Sequence, residues 1–106
     1  MRLPLLSDIE IQRELNTLEG WSRRGGMIVK TYEFTTFPDA IAWVNRVASA
    51  AESANHHPDL DIRFTRVNAA LSTHESEGVT ARDFALARTM DALAEAPEPE
   101  GPDRLA

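Results

Sequence analysis

Residues 60–73 read LDIRFTRVNAALST, and the reading of this stretch decides the fold. Leu60, Ile62 and Phe64 alternate with Asp61 and Arg63, and Val67, Ala69, Leu71 and Thr73 then alternate in the same way. A period of two puts one set of side chains on a single sheet face, the pattern of a half-buried strand. Only Thr65-Arg66 lies between the two runs, so the spacing predicts a hairpin, although Thr-Arg is a poor pair for a tight primed turn. Pairing about that turn sets Thr73 roughly level with Pro58.

Upstream, Met27 to Phe34 (MIVKTYEF) is rich in β-branched and aromatic residues and reads as another strand. Gly25-Gly26 is a turn signal before it, and Trp21-Ser-Arg-Arg begins an extended piece. Three helices complete the order. Ser7 and Glu10 have capping-box spacing, Ile11, Leu15 and Leu18 recur at helical intervals, and Gly20 marks an end, which predicts a helix from Asp8 to Glu19. Thr36-Phe-Pro-Asp39 starts a second helix, with Phe37, Ile41, Val44, Ala48 and Ala51 as its apolar stripe, running to Asn55 where Pro58 stops it. Thr80-Ala-Arg-Asp83 opens a third helix to Ala94, with Leu86, Met90 and Leu93 on one stripe. Strands in pairs between single helices, α-β-β-α-β-β-α, indicate an α+β fold: a four-stranded antiparallel sheet with helices packed on one face. Residues 1–94 form one domain on this reading, and 95–106 (EAPEPEGPDRLA) an acidic, Pro-rich tail expected to be disordered.

The 106 residues suit a single domain with a modest core, to which self-association would add burial. Acidic residues outnumber basic ones 17 to 11, for a formal charge of −6. Phosphate backbones and anionic lipids both attract clustered Lys and Arg, so nucleic acid and membrane surfaces are disfavoured as partners. No cysteine is present, which removes disulfides, thiolate catalysis and zinc–sulfur sites together. The N-terminus has no basic segment leading into an apolar run, and no stretch approaches the length of a membrane span, so a cytoplasmic location is expected.

All three histidines fall between Asn55 and His74. His56 and His57 end the long helix, His74 follows the last strand, and the hairpin turns His74 back towards the His-His-Pro58 corner. Asp83, at 100° per residue, falls within the stripe of Leu86, Ala87, Met90 and Ala94 and so points inward. An inward carboxylate is costly unless paired, and a histidine N–H would pair it and have its tautomer fixed in return. Local roles compete with this one. A cationic histidine suits a helix C-terminus, Asp83 has the spacing of a capping-box acid, Glu52 reads as a solvated position, and Trp21 and Trp43 read as core or interface aromatics. Three histidines and an aspartate also match zinc or iron by count. Adjacent histidines in extended backbone point to opposite sides, however, so no metal site is expected.

The run Glu52-Ser-Ala-Asn-His56-His57-Pro58, then Phe64, His74 and Asp83, resembles the signature of the pterin-4a-carbinolamine dehydratases. Leu71-Ser-Thr-His-Glu75, Gly78-Val-Thr-Ala-Arg-Asp-Phe-Ala-Leu86 and the Gly20-Trp21 junction extend the likeness over residues 8 to 94. The resemblance implies a four-stranded sheet backed by helices, assembled as a dimer or a dimer of dimers. It implies a pterin substrate, a 4a-hydroxytetrahydropterin dehydrated to a quinonoid dihydropterin, with no metal or redox cofactor. It would make His56 and His74 the acid–base pair, His57 chiefly a binding group and Asp83 the group that orients an imidazole. Pro58, Thr73, Glu75 and Ser76 would line the pterin pocket with the histidines, partly through backbone groups. Leu60 stands where many members carry tryptophan, Phe64 where tyrosine is common, and Thr65-Arg66 where Asn-Lys is usual; these departures bear on pocket shape and substrate preference. The competing implication is a non-catalytic role, since proteins of this fold also act as partners of transcription factors or assist assembly of a carbon-fixing enzyme.

Overall fold

A computed structural model describes residues 3–95. The elements are α1 (Asp8–Leu15), β1 (Ser22–Arg24), β2 (Met27–Glu33), α2 (Phe37–Ala54), β3 (Asp59–Arg63), β4 (Arg66–Leu71), a 3-10 turn (His74–Ser76) and α3 (Ala81–Glu95). The order α-β-β-α-β-β-α is the one the sequence predicts. The four strands make one antiparallel sheet in the order β1-β2-β4-β3. The tail proposed from residue 95 onward lies, after Glu95, outside the described residues.

Register decides which side chains meet the helices. Ile28 pairs with Leu71, Lys30 with Ala69 and Tyr32 with Val67, and all but Lys30 are buried. Trp43 of α2 lies over this row, its ring centroid 4.2 Å from that of Tyr32 and 5.3 Å from that of Phe34. Its indole N–H donates to the Met90 carbonyl of α3 at 3.1 Å, so one side chain joins the sheet and two helices. The opposite sheet face carries Ser22, Arg24, Thr31, Glu33, Asp61 and Asn68, all exposed. One face packs and the other is open to water.

The caps follow the sequence closely. Ser7 and Glu10 make both reciprocal bonds of a capping box, and the Thr36 hydroxyl accepts the Asp39 N–H. The α1 helix stops four residues earlier than predicted, however. Asn16 caps it, and Thr17 and Leu18 bond back three residues to Glu14 and Leu15, with the Thr17 hydroxyl also donating to the Glu14 carbonyl. Leu18 nevertheless stays buried, because the tightened turns carry it towards the core.

Three further expectations are corrected. The buried stripe of α2 is Ala40, Trp43, Val47 and Ala51, about one residue around the helix from the predicted one; Phe37 and Ala48 are exposed, and Ile41 and Val44 only half-buried. Burying Trp43 removes the most apolar area from water, and that sets the rotation. The hairpin turn is Phe64-Thr65, with Arg63 facing Arg66, and Phe64 takes φ +55°. Asp59 therefore pairs with Ala70, and Thr73 lies beyond the level of Pro58. Lastly, β3 is little buried: Leu60 is half-buried against the core, but Ile62 is 41% exposed and Phe64, in the turn after it, 74%, because the strand order leaves β3 at an edge of the sheet.

Candidate active site

The C-terminus of α2 is built to deliver a histidine. Asn55 adopts the left-handed conformation (φ 51°, ψ 44°), which asparagine tolerates better than most residues. Its N–H bonds the Glu52 carbonyl at 3.2 Å and the His56 N–H bonds the Ala51 carbonyl at 3.1 Å, the paired closure of a Schellman motif. The helix thus ends at Asn55, before Pro58 can act. Arg82 of α3 reaches across and donates to the carbonyls of Ala54 (3.0 Å) and Asn55 (2.6 Å), groups a helix end leaves without partners.

His56 is thereby held against the first turn of α3. Its Nε2 lies 2.6 Å from Asp83 Oδ1, with His56 7% exposed and Asp83 fully buried. The other carboxylate oxygen accepts the Thr73 hydroxyl at 2.9 Å and the Thr80 N–H at 2.8 Å. Thr73 and Thr80 hydroxyl oxygens are 2.7 Å apart. Since Thr73 gives its only hydroxyl proton to Asp83, Thr80 donates to Thr73. Asp83 is therefore both the capping acid of α3 and the partner of a buried imidazole. The His56 ring, the Thr73 hydroxyl and the Thr80 N–H converge on the two carboxylate oxygens, which leaves neither oxygen buried without a partner. With Asp83 ionised, the shared proton sits on Nε2 and Nδ1 is the nitrogen left for proton exchange.

The other two histidines are displayed rather than buried. His57 is exposed and pairs with Glu52 Oε1 at 2.9 Å, a partnership missed because Glu52 read as a solvated position; its signal was the five-residue spacing across a helix end. His74 is exposed at the start of the 3-10 turn, directly after Thr73. Among the described residues it makes no hydrogen bond to His56 or His57; the tie between them runs through Thr73 and Asp83. Thr73 and Gly78 exchange backbone bonds (2.8 and 3.3 Å), which pinches residues 74–77 into a loop with Glu77 at φ 60°. Glu75 is exposed on it and Pro58 is half-buried. Ser76 turns away: its hydroxyl donates to the Leu3 carbonyl at 2.5 Å. A groove of about 280 Å³ between α2 and α3 is lined by His56 with Ala50, Ala54, Arg82, Ala85, Leu86 and Thr89. A wider concavity of about 780 Å³ lies on the outer sheet face and is lined by none of the histidines.

No group of three or more histidine or acidic side chains among the described residues is arranged to hold a metal ion, and His56 and His57 are committed to different carboxylates. No helix of the described residues is long and apolar enough to cross a membrane.

The family described as Pterin 4 alpha carbinolamine dehydratase matches residues 4–93. A protein of Herpetosiphon aurantiacus named "Putative pterin-4-alpha-carbinolamine dehydratase" is 48% identical over 86% of this chain and 95% of its own. One of Thermomicrobium roseum with the same name is 51% identical over 84% of this chain and 96% of its own. Among solved structures, a transcriptional coactivator/pterin dehydratase from Brucella melitensis superposes with a TM-score of 0.83 at 33% identity, covering 85% of this chain and 98% of that one. A pterin dehydratase-like protein described as a RuBisCO assembly factor in the alpha-carboxysome has a TM-score of 0.61 at 23% identity over 73% of this chain and 89% of its own, a likeness of fold.

Proposed function

The chain belongs to the pterin 4 alpha carbinolamine dehydratase family, and on that premise we propose that it removes water from a 4a-hydroxytetrahydropterin, leaving the quinonoid dihydropterin and so recycling the spent cofactor of aromatic amino-acid hydroxylases. The observation that carries the reading is the buried His56–Asp83 pair at 2.6 Å beside the loop that displays His74. A histidine oriented by a buried carboxylate is a group prepared to move protons.

The reaction needs two proton transfers and no change of oxidation state. The C4a–O bond breaks, and the hydroxyl must gain a proton to leave as water. The N5–H bond gives up its proton, and its electron pair forms the C4a=N5 bond. One acid and one base suffice, each worth about 10²–10⁴-fold in rate. In this proposal His56 and His74 fill those roles, His57 binds the ring, and Asp83 fixes the orientation of His56. Pro58 and Glu75 line the pocket. Thr73 contributes by holding Asp83, and Ser76 contributes through its backbone, since its hydroxyl is engaged by Leu3. No metal or cofactor enters the step.

Self-association belongs to the same proposal. Phe37, Ile62 and Phe64 are exposed, and Ile41 and Val44 half-exposed, on faces the single chain leaves open. Burying such surface between copies is the expected use, read out by light scattering as a dimer or tetramer. The proposed setting is the cytoplasm, checked by cell fractionation.

The test is stopped-flow dehydration of enzymatically generated 4a-hydroxytetrahydropterin. The parent protein accelerates the loss of water, and His56→Ala and His74→Ala abolish most of that acceleration. A purely protein-binding module would show no acceleration to lose.

A further inference from the structure

The loop that carries His74 is held from outside by the N-terminus of the chain. Leu3–Leu6 runs across residues 76–79 and is fixed at three points. The Ser76 hydroxyl donates to the Leu3 carbonyl at 2.5 Å, the Leu6 N–H donates to the Val79 carbonyl at 3.0 Å, and the Leu5 side chain lies so close over Gly78 that a Cβ there would sit 2.9 Å from Leu5 Cδ2. Ser76, Gly78 and Val79 are buried while His74, Glu75 and Glu77 of the same loop are exposed. Leu5 itself is 54% exposed, so core burial alone does not account for its position.

Resting on the reading of His74 as a group that acts on substrate, we propose that residues Leu3–Leu6 are a positioning strap that sets where the His74 imidazole stands. The base of the loop is closed by the Thr73–Gly78 backbone pair. That pair fixes the two ends but not the tilt of the turn between them. The bond from Ser76 to Leu3 supplies the missing restraint, since Ser76 ends the 3-10 turn that His74 begins. Three anchors along one side of this four-residue loop and its base define its orientation. Small displacements of a reacting group are costly in rate, a misplacement of about 1 Å lowering turnover by as much as 10²-fold. The strap is thus a determinant of turnover made of residues that touch no substrate.

The test is a double-mutant cycle on the full chain. Leu5→Gly removes the side chain that packs over Gly78 and loosens the strap, and Ser76→Ala removes the hydroxyl anchor while keeping the backbone. Each is measured alone and combined with His74→Ala, for dehydration kinetics and for amide hydrogen exchange. The strap predicts that both single variants lower kcat roughly three- to tenfold with little change in KM. Exchange quickens at residues 76–79 while the amides of α2 and β4 stay protected. In the His74→Ala background neither variant lowers kcat further. An equal loss in both backgrounds, or an unchanged kcat despite faster exchange, overturns the proposal. If His74→Ala itself keeps full turnover, the assignment of His74 fails first and the strap's role in turnover fails with it.

Discussion

His56 Nε2 and Asp83 Oδ1 are 2.6 Å apart across 27 positions of sequence, joining the end of α2 to the first turn of α3. A left-handed Asn55 aims the histidine, and Thr73 and Thr80 hold the carboxylate that receives it. The same carboxylate caps its own helix, so folding and the proposed chemistry draw on one group.

Removing that carboxylate should therefore be severe. Asp83→Ala leaves His56, the Thr73 hydroxyl and the Thr80 N–H without their acceptor in a buried site, at a cost of about 3–5 kcal/mol. Asp83→Asn keeps the shape and one oxygen and should cost less stability, yet it presents an amide that no longer fixes the imidazole as an anion does. Urea denaturation separates the two variants, and the dehydration assay should show both strongly impaired.

The α2 C-terminus gives a graded series. Asn55 holds φ 51°, so Asn55→Gly should be neutral or slightly stabilising, while Asn55→Ala should cost about 1 kcal/mol. Thermal melts give the order Gly, Asn, Ala from most to least stable.

Arg82 grips the carbonyls of Ala54 and Asn55 just before the histidine pair. Arg82→Met keeps much of the stem but removes both bonds, and should cost about 1 kcal/mol at this partly exposed site. Its kcat should fall more than its stability loss implies, because His56 follows directly. Kinetics and melts on the same preparation check this.

Alkaline pH provides a test of the core. Burial, then the hydrogen bond to Asp91, raises the Tyr32 hydroxyl well above the usual phenol range. The folded chain keeps this proton while the unfolded chain loses it above pH about 10. The unfolded state then binds fewer protons, so this contribution to stability is complete below that pH and declines as pH rises past it. The chain has one tyrosine, so its absorbance titration should show no tyrosinate until unfolding, and Tyr32→Phe should lessen the alkaline decline in the urea midpoint.

Local chemistry was the most legible part of the sequence. The Ser7 box, the Thr36 cap, the alternation of Val67, Ala69 and Leu71, and the inward aspect of Asp83 are properties of short segments, and the structure carries each of them. What escaped depends on partners distant in sequence. The exposure of Ile62 follows from the order β1-β2-β4-β3, which no single strand encodes. The rotation of α2 follows from Trp43 meeting Tyr32, and the stripe of Phe37, Ile41 and Val44 was equally periodic. A turn at Phe64 with positive φ contradicts local preference, so turn chemistry could not place it. At the site, helical phase made the inward aspect of Asp83 and its need for a histidine readable, but that the partner is His56 depends on how the end of α2 meets α3. The turning of Ser76 towards Leu3 was not, because nothing in residues 3–6 marks them as neighbours of that loop.

The most direct measurement is the single-turnover rate of 4a-hydroxytetrahydropterin dehydration by the parent chain, His56→Ala, His74→Ala and the double variant. Imidazoles acting as an acid and a base on one ring predict loss of about 10²-fold or more for each single variant, and a double variant near the uncatalysed rate. A His56→Ala protein that folds normally and dehydrates at the parent rate would contradict the account.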